Sequence, residues 1–320
     1  MHILRLALSA IVLLLWVAAA AAQTSSDDNW WPSQWGPDDE RGAANRLSSD
    51  KVLEATALIR EGRIYELGRD YEAGMPLFPG RHYSLTIPGS PTHGPFGANQ
   101  LVGHDELVSG QIGQVGTQFD GLGHIGTRID GEDRFYNGFK RREFGTPYGL
   151  ARLGVEKVGP ILTRGVLIDV AAYKGVERLA VGEVITADDL KKALGKQGTE
   201  IRAGDVVLIH TGHGQLWMVD NDEYNRGAPG IGMDAARWLA AQKIVMTAAD
   251  TSTVEVIPSE DPNMAYPVHQ ELLVRHGIYN MENLDLAAIA EDKVYEFAFM
   301  FAPARFKGAT GSPGNPIAVK

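Results

Sequence analysis

Apolar positions along this chain recur with two periods, and the alternation between them lays out the elements. Over residues 50–60, Val52, Ala55, Leu58 and Ile59 fall on one helical face, with Ser49 as the cap and Gly62 as the stop. Residues 64–67 read as a strand. From Gly165 onward the pattern alternates as it does in α/β proteins. Residues 166–170 form a buried strand, and Thr186 with Asp189 resembles a capping box for a short helix carrying Leu190 and Leu194. Residues 205–210 are a second apolar strand, 233–242 a helix, and 244–249 a strand that ends at Asp250. On a further helix His269 shares a face with Leu272, Leu273 and His276. Residues 70–113 differ: rich in Gly and Pro and weakly periodic, they read as loop. Loops of this length are often functional, so this segment is expected to cover a substrate.

The stretch from Gln114 to His124 has its own pattern. As an extended strand it places Gln114, Gly116, Gln118 and Asp120 on one face and Val115, Thr117 and Phe119 on the other. The second face suits a core. The first holds no apolar side chain, and Gly116 leaves room for something to approach the backbone. Cα atoms two apart on a strand lie roughly 6–7 Å apart, so Gln118 and Asp120 can reach one cation. Gly121 and Gly123 then break the strand and can turn His124 toward the same point. A half-buried strand with its polar face in water shows the same alternation, so the pattern alone leaves both readings open. Elsewhere, His82, His93 and His104 read as loop or hydrogen-bonding histidines. His210, His213 and Asp250 sit at the carboxyl ends of strands, where α/β proteins place ligands. Bonding to loop backbone would account for the two histidines as well.

Residues 114–124 resemble the signature of the cyclase family that includes bacterial kynurenine formamidase and isatin hydrolase, His-x-Gly-Thr-His-x-Asp-x-Pro-x-His. Gly116-Thr117, Asp120 and His124 match it; Gln114 and Gln118 replace the two early histidines, and Leu122 the proline. The segment from Trp35 to Asn45, the block Val268 to Leu273, Glu282-Asn283-Leu284, Tyr295-Glu296-Phe297 and the run Gly308 to Pro313 extend the resemblance over nearly the whole chain. It implies a single α/β domain over residues 48–320 with the family's swivelling β/β/α fold. It also implies a divalent metal held by Asp120, His269 and Glu282, with Gln118 and Gln114 as weaker carbonyl-oxygen ligands. His124 is then the proton-transfer residue, free of metal. Oxygen-rich coordination suits Mn²⁺ or Mg²⁺, and Zn²⁺ stays open. The implied activity is metal-dependent hydrolysis of a small-molecule amide, lactam or related carbonyl compound, as in arylformamidases. Two alternatives stand beside it: an inactive exported binding protein, if the glutamines have cost the chain its chemistry, and a metal-dependent cyclase or dehydratase. A homodimer or homotetramer is the expected assembly.

Composition adds three points. Arg5, the apolar run 6–17 and Ala20-Ala21-Ala22 before Gln23 form a signal peptide over residues 1–22, with an apolar core too short for a comfortable bilayer span. The mature chain is expected in the periplasm or outside the cell. Cysteine is absent, so no disulfide stabilises it. A net charge of −10 argues against nucleic acid or an anionic membrane surface as partner and leaves a small-molecule substrate. Trp30, Trp31 and Trp35, in the polar segment 23–47, suit an arm packed on the body or on a neighbouring subunit; a sugar-stacking platform is the other reading. Mass spectrometry of protein from the native host is expected to find a chain beginning at or near Gln23. Mature material that retains Met1 would contradict export.

Overall fold

A nine-stranded mixed sheet organises the computed structural model, which describes residues 30–89 and 93–320. The signal peptide expected over residues 1–22 lies outside the described residues. In chain order the strands are β1 (Ile64–Glu66), β2 (Gln118–Asp120), β3 (Ile161–Asp169), β4 (Val206–His210), β5 (Met246–Ala249), β6 (Tyr279–Glu282), β7 (Glu296–Phe301), β8 (Gly311–Pro313) and β9 (Ile317–Val319). Across the sheet they run β1-β9-β7-β3-β4-β5-β6-β2-β8. The central four, β3 to β6, are parallel. Both flanks are antiparallel. The result is one mixed α/β domain.

The central strands are buried on both faces, as parallel strands usually are. Val166 and Ile168 of β3 and Val207 and Ile209 of β4 pack under the helices Ala187–Gln197 and Met233–Ala241. Leu167, Val206 and Leu208 point the other way, into a core shared with Phe119, Met281, Phe297 and Phe299. Thr186 and Asp189 close the expected capping box at the start of Ala187–Gln197.

Several boundaries move, each for a local reason. The first helix is Ser49–Thr56, shorter than expected, and its cap is Ser48, whose side chain accepts from the Lys51 N–H. β3 begins at Ile161, well before the expected 166, because Arg164 and Gly165 lie inside it. A side chain at Gly165 would collide with the Phe297 ring. Arg164 is tolerated because it is paired: its guanidinium meets Asp205 Oδ2 at 2.7 Å, Glu296 Oε2 at 2.7 Å and the Glu200 carbonyl at 2.7 Å. Residues 70–113 are not all loop, since Tyr83–Thr86 and Leu107–Gly110 pair as an antiparallel hairpin.

The tryptophan segment lies on the body of its own chain. Arg134 stacks over Trp31 and Arg46 over Trp35, each at 4.9 Å from the ring centroid. Asp39 accepts from Tyr136 Oη at 2.6 Å and Asn45 Nδ2 at 2.7 Å, and Ser33 N–H donates to Asn137 Oδ1 at 2.6 Å.

Removing Arg164 leaves buried Asp205 with Lys51 Nζ, at 2.8 Å, as its remaining close cation. Arg164→Met is therefore expected to destabilise by up to about 3 kcal/mol by chemical denaturation, the low end for a buried charge that loses its partner. Pairing it with Asp205→Asn should recover part of that loss, and additive effects would show that the two do not act as a pair.

Candidate metal centre

Antiparallel pairing of β2 with β6 builds the site. Its register sets Gln118 opposite Glu282, Phe119 opposite Met281 and Asp120 opposite Asn280. Phe119 and Met281 enter the core, so Gln118, Asp120, Asn280 and Glu282 share the other face. Gln118 Nε2 donates to Glu282 Oε2 at 2.8 Å, and Glu282 Oε1 accepts from the Val254 N–H at 3.1 Å.

His269 arrives from the helical turn Pro267–His269, which runs on as the π-helix Gln270–Arg275. Buried Glu255 fixes it three ways. The carboxylate accepts from the N–H groups of Val268 at 3.3 Å and His269 at 3.1 Å, and lies 2.5 Å from His269 Nδ1. Nδ1 is thereby the protonated nitrogen facing a carboxylate, which turns Nε2 toward Glu282 Oε1 at 3.2 Å and Asp120 Oδ2 at 3.6 Å. Ligand atoms of Asp120, His269 and Glu282 all lie within 4.8 Å of one another, and all three residues are buried.

So many buried carboxylates call for positive charge. Burial and the neighbouring charge of Asp120 raise Glu282 above the usual carboxylate range. Burial opposes ionisation of Asp120 too, but His124, His269 and Gln114 pull it below its ordinary value. Burial works against a charged His269, yet the nearby carboxylates of Asp120, Glu255 and Glu282 raise it well above an ordinary histidine. Two oxygens test whether a cation fits. Gln118 Oε1 and Asp120 Oδ2 are buried with no hydrogen-bond partner. Orphaned acceptors are costly in a folded interior, and a cation between them would satisfy both. With His269 Nε2 and Glu282 they form a donor set of three oxygens and one imidazole.

Gln114 differs from the expected carbonyl-oxygen ligand. Its Nε2 donates to Asp120 Oδ1 at 3.0 Å, while its Oε1 faces Arg81 Nη2 at 3.3 Å. The simple alternation fails here because Gly116 adopts φ +60° and regular strand starts only at Gln118. Tyr71 occupies the space a side chain at Gly116 would need, and its hydroxyl donates to the Thr117 carbonyl. What approaches Gly116 is thus a ring of the same chain.

His124 returns to the cluster as the glycines suggested. Its N–H closes a turn onto the Gly121 carbonyl at 3.0 Å, and Nε2 stands 3.8 Å from Asp120 Oδ1. Burial lowers its pKa, helped by the charges of His269 and Arg81 and opposed by Asp120. The lowered pKa favours the neutral imidazole, the form that can accept a proton. It borders a cavity of about 160 Å³ whose wall also includes Phe78, Arg81, Ser252 and Tyr266.

Other candidate histidines lie elsewhere. His210 Nδ1 meets Asp169 at 2.8 Å, and His213 stacks on Tyr224 with Nε2 3.4 Å from its carbonyl. Asp250 accepts from Thr211 N–H and Oγ1. His93 and His104 contact each other edge to face, and neither they nor His82 line this cavity. The strand-end rule holds at a different strand, since Glu282 closes β6. Sequence reasoning missed Glu255; its one signal is an acid between Val254 and Val256 in an otherwise apolar run.

A cyclase family model matches residues 65–256, ending before His269 and Glu282. A crystal structure described as a novel cyclase is 34% identical with a TM-score of 0.81, covering 91% of this chain and 97% of that one. Isatin hydrolase A from Ralstonia solanacearum gives 20% identity and a TM-score of 0.60 over 86% of this chain and 98% of its own. A predicted metal-dependent hydrolase from Bacillus stearothermophilus gives 18% and 0.51 over 80% and 97%. No curated protein matches the sequence.

A carboxylate behind a metal-binding imidazole is typically worth 10–100-fold in affinity. Glu255→Gln is expected to weaken Mn²⁺ or Zn²⁺ binding about 10–100-fold by titration calorimetry. Unchanged affinity would show that Glu255 only caps the turn.

Proposed function

This chain belongs to the cyclase family, and from that premise we propose that it is a metal-dependent hydrolase of a small-molecule amide, lactam or related carbonyl compound. The observation that carries the reading is the buried Asp120–His269–Glu282 cluster with its two orphaned oxygens, Gln118 Oε1 and Asp120 Oδ2. The names of similar structures, isatin hydrolase and metal-dependent hydrolase, support it.

Asp120, Glu282, His269 Nε2 and Gln118 Oε1 would hold one divalent ion. Three oxygens to one nitrogen favour Mn²⁺ or Mg²⁺ over Zn²⁺. Such an ion supplies Lewis acidity, which lowers the pKa of a bound water and polarises a carbonyl. The chain's own groups do the rest. Glu255 holds the His269 tautomer, and Gln114 holds Asp120 Oδ1 from behind. His124, neutral and within reach of the cavity, takes a proton from the attacking water and returns it to the departing nitrogen. A cavity of about 160 Å³ suits a small molecule.

Asp120 and His124 stand only four residues apart but separate cleanly by experiment. Asp120→Asn is expected to lose bound metal and turnover together in a screen of formamides, lactams and imides. His124→Ala should keep metal content and melting temperature while kcat falls about 10²–10⁴-fold. Loss of metal from His124→Ala would make it a ligand. A lower melting temperature with unchanged turnover per folded molecule would make it structural.

A further inference from the structure

Arg81 lines the same cavity, and the roles argued so far leave most of its hydrogen-bonding capacity unused. Its Nη1 donates to the Gln114 carbonyl at 2.5 Å and Nη2 to Gln114 Oε1 at 3.3 Å. A guanidinium has five N–H donors, so three remain. Among the described residues no carboxylate pairs with it, in contrast to Arg164, which meets both Asp205 and Glu296. Arg81 is only partly buried, so water can serve these donors, and an anion entering the cavity would meet them with stronger, charge-assisted hydrogen bonds.

The surroundings narrow what that anion is attached to. The Arg81 guanidinium carbon lies 4.9 Å from the Phe78 ring centroid, which orients the fork. Tyr266 is set edge to face against His269, with centroids 5.6 Å apart at 78°. Its backbone holds φ +50°, an unfavourable left-handed conformation for a bulky aromatic and one that clusters at functional sites. Two rings and a guanidinium thus form one side of a space of about 160 Å³, whose other side is the polar cluster of Gln118, His269 and Glu282. An apolar cavity of roughly 150 Å³ holds one benzene molecule.

We infer that Arg81 is the specificity-determining residue of this site and that the substrate is a small, single-ring compound carrying a carboxylate or comparable anion beside the reacting carbonyl. The inference rests on the hydrolase reading for its choice of reacting group, but not for the binding of the anion itself. The planar fork of Arg81 grips the anion through two parallel N–H···O bonds, the geometry that distinguishes arginine from lysine. Phe78 and Tyr266 flank the ring.

Benzenesulfonate and its neutral analogue methyl phenyl sulfone isolate this contact, because a sulfonate coordinates divalent ions poorly. Both are titrated calorimetrically into the Mn²⁺-loaded wild-type protein, Arg81→Met and Arg81→Lys. Wild type is expected to favour the sulfonate by about tenfold or more. Arg81→Met should lose that preference while still binding the sulfone, and Arg81→Lys should retain part of it. If Arg81→Met disturbs Gln114, the lysine variant still separates charge from fold. Equal affinity of wild type for the two probes, no sulfonate binding at all, or a preference that survives Arg81→Met would overturn the assignment. Discrimination with no amide turned over would leave Arg81 assigned and remove the hydrolase reading; turnover without discrimination would do the reverse.

Discussion

The pairing of β2 with β6 is the constraint on which the site depends. A strand's side chains alternate, so the register that buries Phe119 and Met281 also puts Gln118, Asp120 and Glu282 together on the other face. A slip of one residue would turn the two apolar side chains into the site and bury the acids in the core. Core packing therefore enforces the geometry of the polar cluster. β8 on the outer side of β2 adds a second antiparallel partner, with Gly311 opposite Asp120. The Asp120 strand is thus held from both edges.

Electrostatics impose the next requirement. Asp120, Glu255 and Glu282 are buried around one imidazole, an arrangement that would be unstable if left uncompensated. Protons, amide N–H groups and the His269 ring share the compensation. Glu255 does this while capping the turn that carries His269, so one carboxylate both builds the local backbone and sets the imidazole's tautomer. The site and the turn cannot be altered independently.

The two glutamines show how a residue type takes its role from the backbone beneath it. Gln118 lies in regular strand and points its oxygen, unpartnered, into the cluster. Gln114 lies beyond the left-handed bend at Gly116 and reaches Asp120 with its nitrogen instead. Its oxygen is committed to Arg81, which links the cavity wall to the cluster. A pair that looks equivalent along the chain is divided into an acceptor facing inward and a donor supporting from behind.

Features set by neighbours in the chain were legible in the sequence. The Thr186–Asp189 box, the helix read over residues 233–242 and the apolar runs of β3 and β4 follow from interactions a few residues apart, which a linear pattern records. So did the return of His124 toward Asp120, since two glycines in four residues leave the backbone free to turn. His269 and Glu282 were reached through resemblance, because no local pattern joins them to Asp120. What only the tertiary structure decided is the pairing of distant charges. Arg164 hid the start of β3, since a charge inside a strand reads as a break until Asp205, 41 positions on, and Glu296, 132 on, come beside it. Glu255 and Arg81 were invisible for the same reason: each acts through a group 14 or 33 residues away. Burial makes those partners necessary, and burial is a property of the folded chain alone.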